Sequence, residues 1–392
     1  MAGLTPAQKE ILLTALNQQQ IMPPEVECIP MPISVPELKG EFGEGIEASE
    51  KAQYEGFDAC MNERNIQLWR PMVAPPPHSR PDWAEYLEKA DVTEFSIDTT
   101  KVGGNKTEMT IWCAKAKGVE DVNRPAFIFF HGGSWTMYQG MTKVEACARA
   151  CMFDCTVFGV DYGMAPETKA PHSGLNCYAA VLHICKNAAS FNVDPTRIAM
   201  GGESSGGGHT AICSYELAKN NCAHLIKFAW MDIAACSNHW FERTADNCRD
   251  WVEAASIPGT WGPLECFVPH GETYDGPGPT DEFPFSADVK FDQDFAKKCA
   301  EKFKDDPTCF PIAMGDDLAR RCPPTFLTTR EFDCYRRDSE EYGELMKRNK
   351  RLLCPVYIQP GTTHMSSMNP ELPGYAELER DQIALFKHFM GN

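Results

Sequence analysis

No stretch of the 392 residues approaches the ~20 consecutive apolar positions that a helical bilayer span requires. Basic charge is also scarce: 37 Lys and Arg stand against 55 Asp and Glu, a net charge of −18. Such a field repels phosphate backbones and anionic headgroups, which excludes nucleic acid and membrane surfaces as expected partners. The longest basic cluster, Lys347, Arg348, Lys350 and Arg351, falls where a helix should end, and cations there complement the helix dipole. The opening MAGLTPAQKEILLTAL carries Lys9 and Glu10 and lacks the apolar stretch of a signal peptide, so a cytoplasmic protein is expected. Eighteen cysteines are many, yet none forms a Cys-x-x-Cys pair and no Cys/His group has zinc spacing. No metal or other cofactor is expected. Cys147, Cys151 and Cys155 recur every four residues along one helix face running into a strand, the pattern of buried structural thiols. There is no internal repeat and no low-complexity tract.

What is present falls into three parts. Residues 1–90 are polar and rich in proline (Pro23, Pro24, Pro75, Pro76, Pro77), with short helical patterns such as the one from Pro36 to Arg70. They read as a helical cap. From there to the C-terminus, residues 91–392, short β-rich runs alternate with helical stretches. The runs are EFSIDTT, EMTIWCAKA, PAFIFFHGG, CTVFGVDYG, RIAMGGES, IKFAWMDIAA, PTFLTTREFD and PVYIQPGTTH. The last six are apolar on both faces, as a buried parallel sheet demands, whereas the first two alternate as an antiparallel edge would. The intervening helices are placed at Thr142–Phe153, Ser173–Ala189, Gly208–Asn220 and Ser339–Asn349. The expected fold class is α/β, with an eight-stranded, mostly parallel, doubly wound sheet. One long aromatic, Gly- and Pro-rich stretch, residues 237–321, interrupts the alternation before the seventh run and reads as a lid or pocket-wall insertion.

The chemistry-bearing signal is Gly202-Glu203-Ser204-Ser205-Gly206, directly after the strand RIAMG and before a helix. A serine on so tight a strand-to-helix turn is held out into the cleft, and small neighbours let strand and helix pass closely. A second signal, His131-Gly132-Gly133-Ser134-Trp135, follows the apolar strand AFIFF. Its glycines leave backbone N–H groups free to face a developing oxyanion, so the hole is assigned to the N–H groups of Gly132, Gly133 and Ser205. His131 reads as a loop brace. A serine hydroxyl needs a base, and the base an orienting acid. His364 ends the last β-rich run and Asp333 the one before it, both on the carboxyl edge of the sheet with Ser204. Glu331 and Asp338 compete for the acid role, but Asp333 sits at the strand exit, whereas Asp338 should open the next helix.

These residues resemble the hormone-sensitive-lipase-like esterase family of the α/β-hydrolase superfamily. The family's His-Gly-Gly-Gly stretch is similar to HGGSW at 131–135, and its Gly-Asp-Ser-Ala-Gly-Gly elbow to GESSGG at 202–207. DYGMAPE at 161–167 resembles its Asp-Tyr-Arg-x-Ala-Pro-Glu, and EFDCYRRD and PGTTH resemble its acid and base segments. Three positions depart from the pattern: Ser134 for the third glycine, Gly163 for the arginine and Glu203 for the aspartate. HGGSW leans toward formamidase-like and acyl-esterase branches. The resemblance implies an α/β-hydrolase fold over residues 90–390 with an N-terminal cap over the acyl pocket. It implies a cofactor-independent serine carboxylesterase with Ser204, Asp333 and His364 as its triad, acting on short- to medium-chain or aryl esters. An aryl-formamidase-type amidase and a non-catalytic small-molecule receptor are the alternatives. The expected partner is a small-molecule ester, with a homodimer left open.

Overall fold

Eight strands build one sheet in the order β1-β2-β4-β3-β5-β6-β7-β8. They are β1 (Ala90–Ile97), β2 (Met109–Ala116), β3 (Arg124–Phe130), β4 (Thr156–Val160), β5 (Val193–Glu203), β6 (Phe228–Asp232), β7 (Thr325–Phe332) and β8 (Tyr357–Thr363). The computed structural model describes residues 22–41, 83–238, 293–367 and 370–391, apart from isolated positions, together with short pieces between 244 and 267. Strands β1 and β2 pair antiparallel, and β2 also runs antiparallel to β4. From β4 to β8 every pairing is parallel. The alternating pattern of the first two runs and the two-sided apolarity of the later six thus have their expected places.

Two-sided burial has a simple source in β3. Phe127 and Phe129 join Phe153, Trp230 and Phe386 on one face of the sheet, while Ala126, Ile128 and Phe130 join Tyr178, Val181 and Met200 on the other. Helices cover both faces: α1 (Thr142–Phe153) and α5 (Tyr375–Met390) on the first, α2 (His172–Lys186) and α3 (Ser205–Lys219) on the second, with α4 (Arg336–Arg348) beside α3. In α4, Tyr342, Leu345 and Met346 form the i, i+3, i+4 stripe that is buried, and the remaining face is charged. The sequence reading placed no helix after His364. The structure adds α5, whose Leu378, Leu385 and Phe386 carry the same kind of stripe and whose end is set by Gly391 at φ +78°.

Helix α3 begins at Ser205, three residues before the expected start at Gly208. Glycine disfavours helix interiors by about 1 kcal/mol per residue, which is why the sequence suggested a later start. Tertiary packing overrides that preference: a Cβ at Gly207 would stand 2.7 Å from the Ala234 Cβ, and one at Gly206 would strike the Phe130 carbonyl oxygen.

Of the expected cap, residues 83–89 form a short turn and helix, and residues 22–41 run as an irregular strap along the α4–β8 corner. Val26 N–H donates to Lys350 O at 3.1 Å, Ile29 N–H to Leu353 O at 3.0 Å, and Arg351 to Pro24 O at 2.7 Å. The helix expected from Pro36 is absent over residues 36–41; nearly all the rest of that pattern lies outside the described residues. In the basic cluster, Arg348 pairs with Asp316 and Lys350 with Glu25. Every described cysteine is a free thiol. Cys147 and Cys155 are buried and Cys151 is half-buried; burial pushes the Cys147 thiol up to about 11. No helix among the described residues is long and apolar enough to cross a membrane.

Candidate active site

Three parallel strands deliver the site to one edge of the sheet. Ser204 follows β5 at φ +54° and ψ −117°, a conformation that a non-glycine residue adopts only when its surroundings hold it there. The hold is visible on both sides. Its N–H donates to Asp232 O at 2.9 Å, and its carbonyl accepts from Gly208 N at 3.0 Å and Ala235 N at 3.2 Å. The side chain emerges where α3 opens, and the first N–H groups of a helix have no partner within it.

Strand β7 supplies the acid through a register shift between Arg330 and Phe332 against β8. Asp333 is buried just beyond it. Its Oδ1 accepts from His364 Nδ1 at 2.7 Å and from Tyr335 N at 2.8 Å, and its Oδ2 from Thr329 Oγ1 at 3.0 Å. Burial pushes the carboxyl up, but His364, the Tyr335 N–H and Arg330 outweigh it and hold the group below the ordinary aspartate value. A carboxylate only accepts, so the proton of His364 rests on Nδ1 and Nε2 is free to accept. The Ser204 hydroxyl donates to that Nε2 at 3.0 Å. Tyr335 closes over the imidazole edge-on, ring centroids 5.3 Å apart. The three residues singled out in the sequence therefore form one hydrogen-bonded chain.

The rival acids are committed elsewhere. Asp338 Oδ2 accepts the N–H groups of Cys236 and Ser237, each at 2.9 Å, and so ties α4 to the loop after β6. Glu331 accepts the N–H groups of Gly40 at 2.6 Å, Gly361 at 2.7 Å and Lys39 at 3.2 Å, which brings the N-terminal strap to the end of β8. Glu203, half-buried, pairs with the buried Arg149, whose guanidinium also lies 3.8 Å from the Phe129 ring centre.

The loop after β3 lies against the elbow. A Cβ on Gly132 would stand 3.5 Å from the Ser204 Cβ, so the Gly132 backbone runs directly beside Ser204. Gly133 has φ +114°, and Ser134 and Trp135 follow at +50° and +61°. The bend is closed by Thr136 N–H to Gly133 O at 2.9 Å and pinned by Ala165 N–H to Trp135 O at 2.8 Å. His131 is fully buried and braces the loop: its Nδ1–H donates to Gly132 O at 2.7 Å, and its ring stacks on Tyr162 at 4.3 Å. Gly163, which replaces the family's arginine, sits at φ +81°, a backbone that arginine would strain.

Sequence reading missed several residues here. Asp232 is fully buried and accepts both Arg330 terminal nitrogens at 2.8 Å, Thr328 Oγ1 at 2.5 Å and Gln382 Nε2 at 2.7 Å. It is the residue whose carbonyl holds Ser204, and only strand register reveals that. His209 carried a usable signal, since it stands five residues after Ser204 on the helix that the elbow opens. From the insertion, Val252, Phe267 and Phe310 join Ala235, Tyr335 and Trp135 in an apolar cluster over the site. Potential metal ligands meet at Asp333, Cys334 and His364, within 4.8 Å of one another, but two of the three already share a hydrogen bond.

A family model described as the α/β-hydrolase fold matches residues 127–257. Lipase 2 of Moraxella sp. is 30% identical over 287 residues, 68% of this chain and 62% of that lipase. The arylesterase of Saccharolobus solfataricus is 31% identical over 135 residues, 32% of this chain and 43% of the arylesterase. The chain thus spans less than two thirds of these curated relatives. Among solved structures, a bacterial heroin esterase superposes with a TM-score of 0.63 at 19% identity, covering 87% of this chain and 97% of that one. An esterase from Pseudomonas putida gives 0.63 at 17%, covering 89% and 99%. The eight-stranded sheet and the matched segment together give the chain the α/β-hydrolase fold, and its sequence is similar to that of the lipase and the arylesterase.

Proposed function

We propose that this chain hydrolyses carboxylic esters through an acyl-enzyme on Ser204. The observation that carries the reading is the continuous relay from Ser204 Oγ to His364 Nε2 at 3.0 Å and from His364 Nδ1 to Asp333 Oδ1 at 2.7 Å. As Ser204 Oγ attacks the ester carbonyl, its proton passes to Nε2, and the imidazolium that forms is stabilised by Asp333. The N–H groups of Gly132, Gly133 and Ser205 receive the oxyanion, a role for which the Gly132 backbone beside Ser204 and the free first turn of α3 are suited. His364 then protonates the departing alkoxide. Water repeats the cycle on the acyl-enzyme, with His364 again taking the proton. The lipase and arylesterase names of relatives favour an ester over an amide. The apolar cluster of Phe310, Tyr335 and Trp135 over the site favours short- to medium-chain or aryl groups, with the N-terminal region acting as a cap and the insertion as a wall.

Labelling with a fluorophosphonate probe tests the reading. The native chain should label and both Ser204→Ala and His364→Ala should not; a folded native chain that fails to label would sink the hydrolase reading. If matched aryl amides turn over faster than the esters, the activity is that of an amidase.

A further inference from the structure

Behind the loop after β3 lies a small, partly open cavity that leaves about 30 Å³ to the centres of water-sized groups. Trp135, Ile212, Phe267 and Phe310 give it apolar walls. It adjoins the nucleophile through Ala235, whose N–H is bonded to the Ser204 carbonyl, and through Trp135, whose ring would lie 3.3 Å from a Cβ on Gly208. One side chain in this wall stands apart. His209 is 1% exposed, and among the described residues neither of its ring nitrogens has a hydrogen-bond partner. Tyr162 lies edge-on against it at 4.4 Å and Trp135 at 6.3 Å, so its neighbours offer ring faces and edges. Burial drives His209 down to about 3, helped by the nearby His131, so the ring is neutral and presents one N–H donor and one bare nitrogen acceptor. The other polar groups of the cavity are the side chains of Ser173, Ser237 and Thr308, and Thr308 already donates to Asp306 at 2.6 Å.

An unpaired buried imidazole costs the fold stability, and a substrate group that both donates and accepts would recover it. We propose that His209 is a specificity residue, and that the cavity takes a short substrate group carrying a hydroxyl directed at its ring. This rests on the ester-hydrolase reading and narrows it to hydroxylated short-chain esters. A site that hydrogen-bonds a substrate hydroxyl discriminates against the analogue lacking it, because the protein group is then left unpaired.

The test uses full-length Ser204→Ala, in which binding is separated from turnover, and ligand-observed NMR titration with two isosteric pairs. Methyl 3-hydroxybutanoate against methyl 3-methylbutanoate places the hydroxyl on the acyl side; 2-hydroxypropyl acetate against 2-methylpropyl acetate places it on the alcohol side. In at least one pair the hydroxylated ester should bind about tenfold tighter, and the preference should fall below about twofold in Ser204→Ala/His209→Leu. The pair that shows it assigns the cavity to the acyl or the alcohol side. Equal binding within both pairs overturns the proposal, as does a preference that survives His209→Leu. Should the double variant fail to fold, the comparison within Ser204→Ala decides alone. Hydrolysis by the native chain bears on the broader reading, so the two can fail separately.

Discussion

Asp333 and Asp338 lie five residues apart and turn their carboxylates to different tasks: Asp333 reaches His364 Nδ1 at 2.7 Å, and Asp338 reaches the N–H groups of Cys236 and Ser237 at 2.9 Å. The two roles separate in substitution. Asp333→Asn should preserve the fold and lower kcat by about 10⁴-fold, because the amide cannot hold the productive tautomer of His364. Asp338→Asn should leave kcat per folded molecule within about tenfold and lower the thermal midpoint instead, since it weakens a buried charge-assisted contact. Steady-state kinetics and thermal unfolding on both proteins check this. The reverse pattern would exchange the assignments.

Two buried imidazoles make stability depend on pH. Burial lowers His131 to about 4 and His209 to about 3, whereas both titrate near 6.5 when unfolded. Between about 6.5 and the folded values the unfolded chain therefore binds more protons. The sign follows: full stability above about pH 6.5, falling as the pH drops. Each ring contributes a slope of about 1.4 kcal/mol per pH unit within that window. Denaturant titrations between pH 4.5 and 7 should show this fall, and His209→Gln should remove about half of the two-ring slope. An unchanged slope would show that His209 is not buried in the neutral form.

Gly206 is a steric requirement of the elbow. An added methyl would stand 2.6 Å from His131 O and closer still to Phe130 O, both backbone atoms that lead into the oxyanion loop. Gly206→Ala should cost at least about 1–3 kcal/mol of stability as overpacking does, and it should reduce turnover more than Gly315→Ala, whose Cβ would meet open space. Unfolding midpoints and kcat/KM for the two variants are the measurement.

The buried Arg330–Asp232 pair should respond asymmetrically. Arg330→Met leaves Asp232 with a buried charge and should cost roughly 3–5 kcal/mol. Adding Asp232→Leu to it should recover part of that loss, because no lone charge then remains. Since the Asp232 backbone carries Ser204, recovery of stability need not restore turnover. A double-mutant cycle by chemical denaturation reads the coupling, and strict additivity would contradict it.

What the chain determined by itself were local and repetitive features. The apolar runs ending at Gly202, Asp333 and His364 specify buried parallel strands, and their exits fall on one edge because parallel strands must all point the same way. The glycines around Ser204 and after His131 mark where backbone must pass close to backbone. Those features alone single out the three residues of the relay, and the strand-exit position favours Asp333 over its neighbours.

The tertiary structure decided what depends on contact across distant segments. The task of each carboxylate depends on the distant segment it meets, with Glu331 at the register shift holding the strap and Asp338 on α4 holding the β6 loop, and this has no signature in composition. The early start of α3 followed from packing against Ala234 and Phe130, which overrode glycine's poor helix propensity. The unpaired burial of His209 arises because Trp135 and Tyr162, both distant from it in sequence, pack their rings around it. Periodicity reports which face of an element is buried; only the folded chain shows what that face meets.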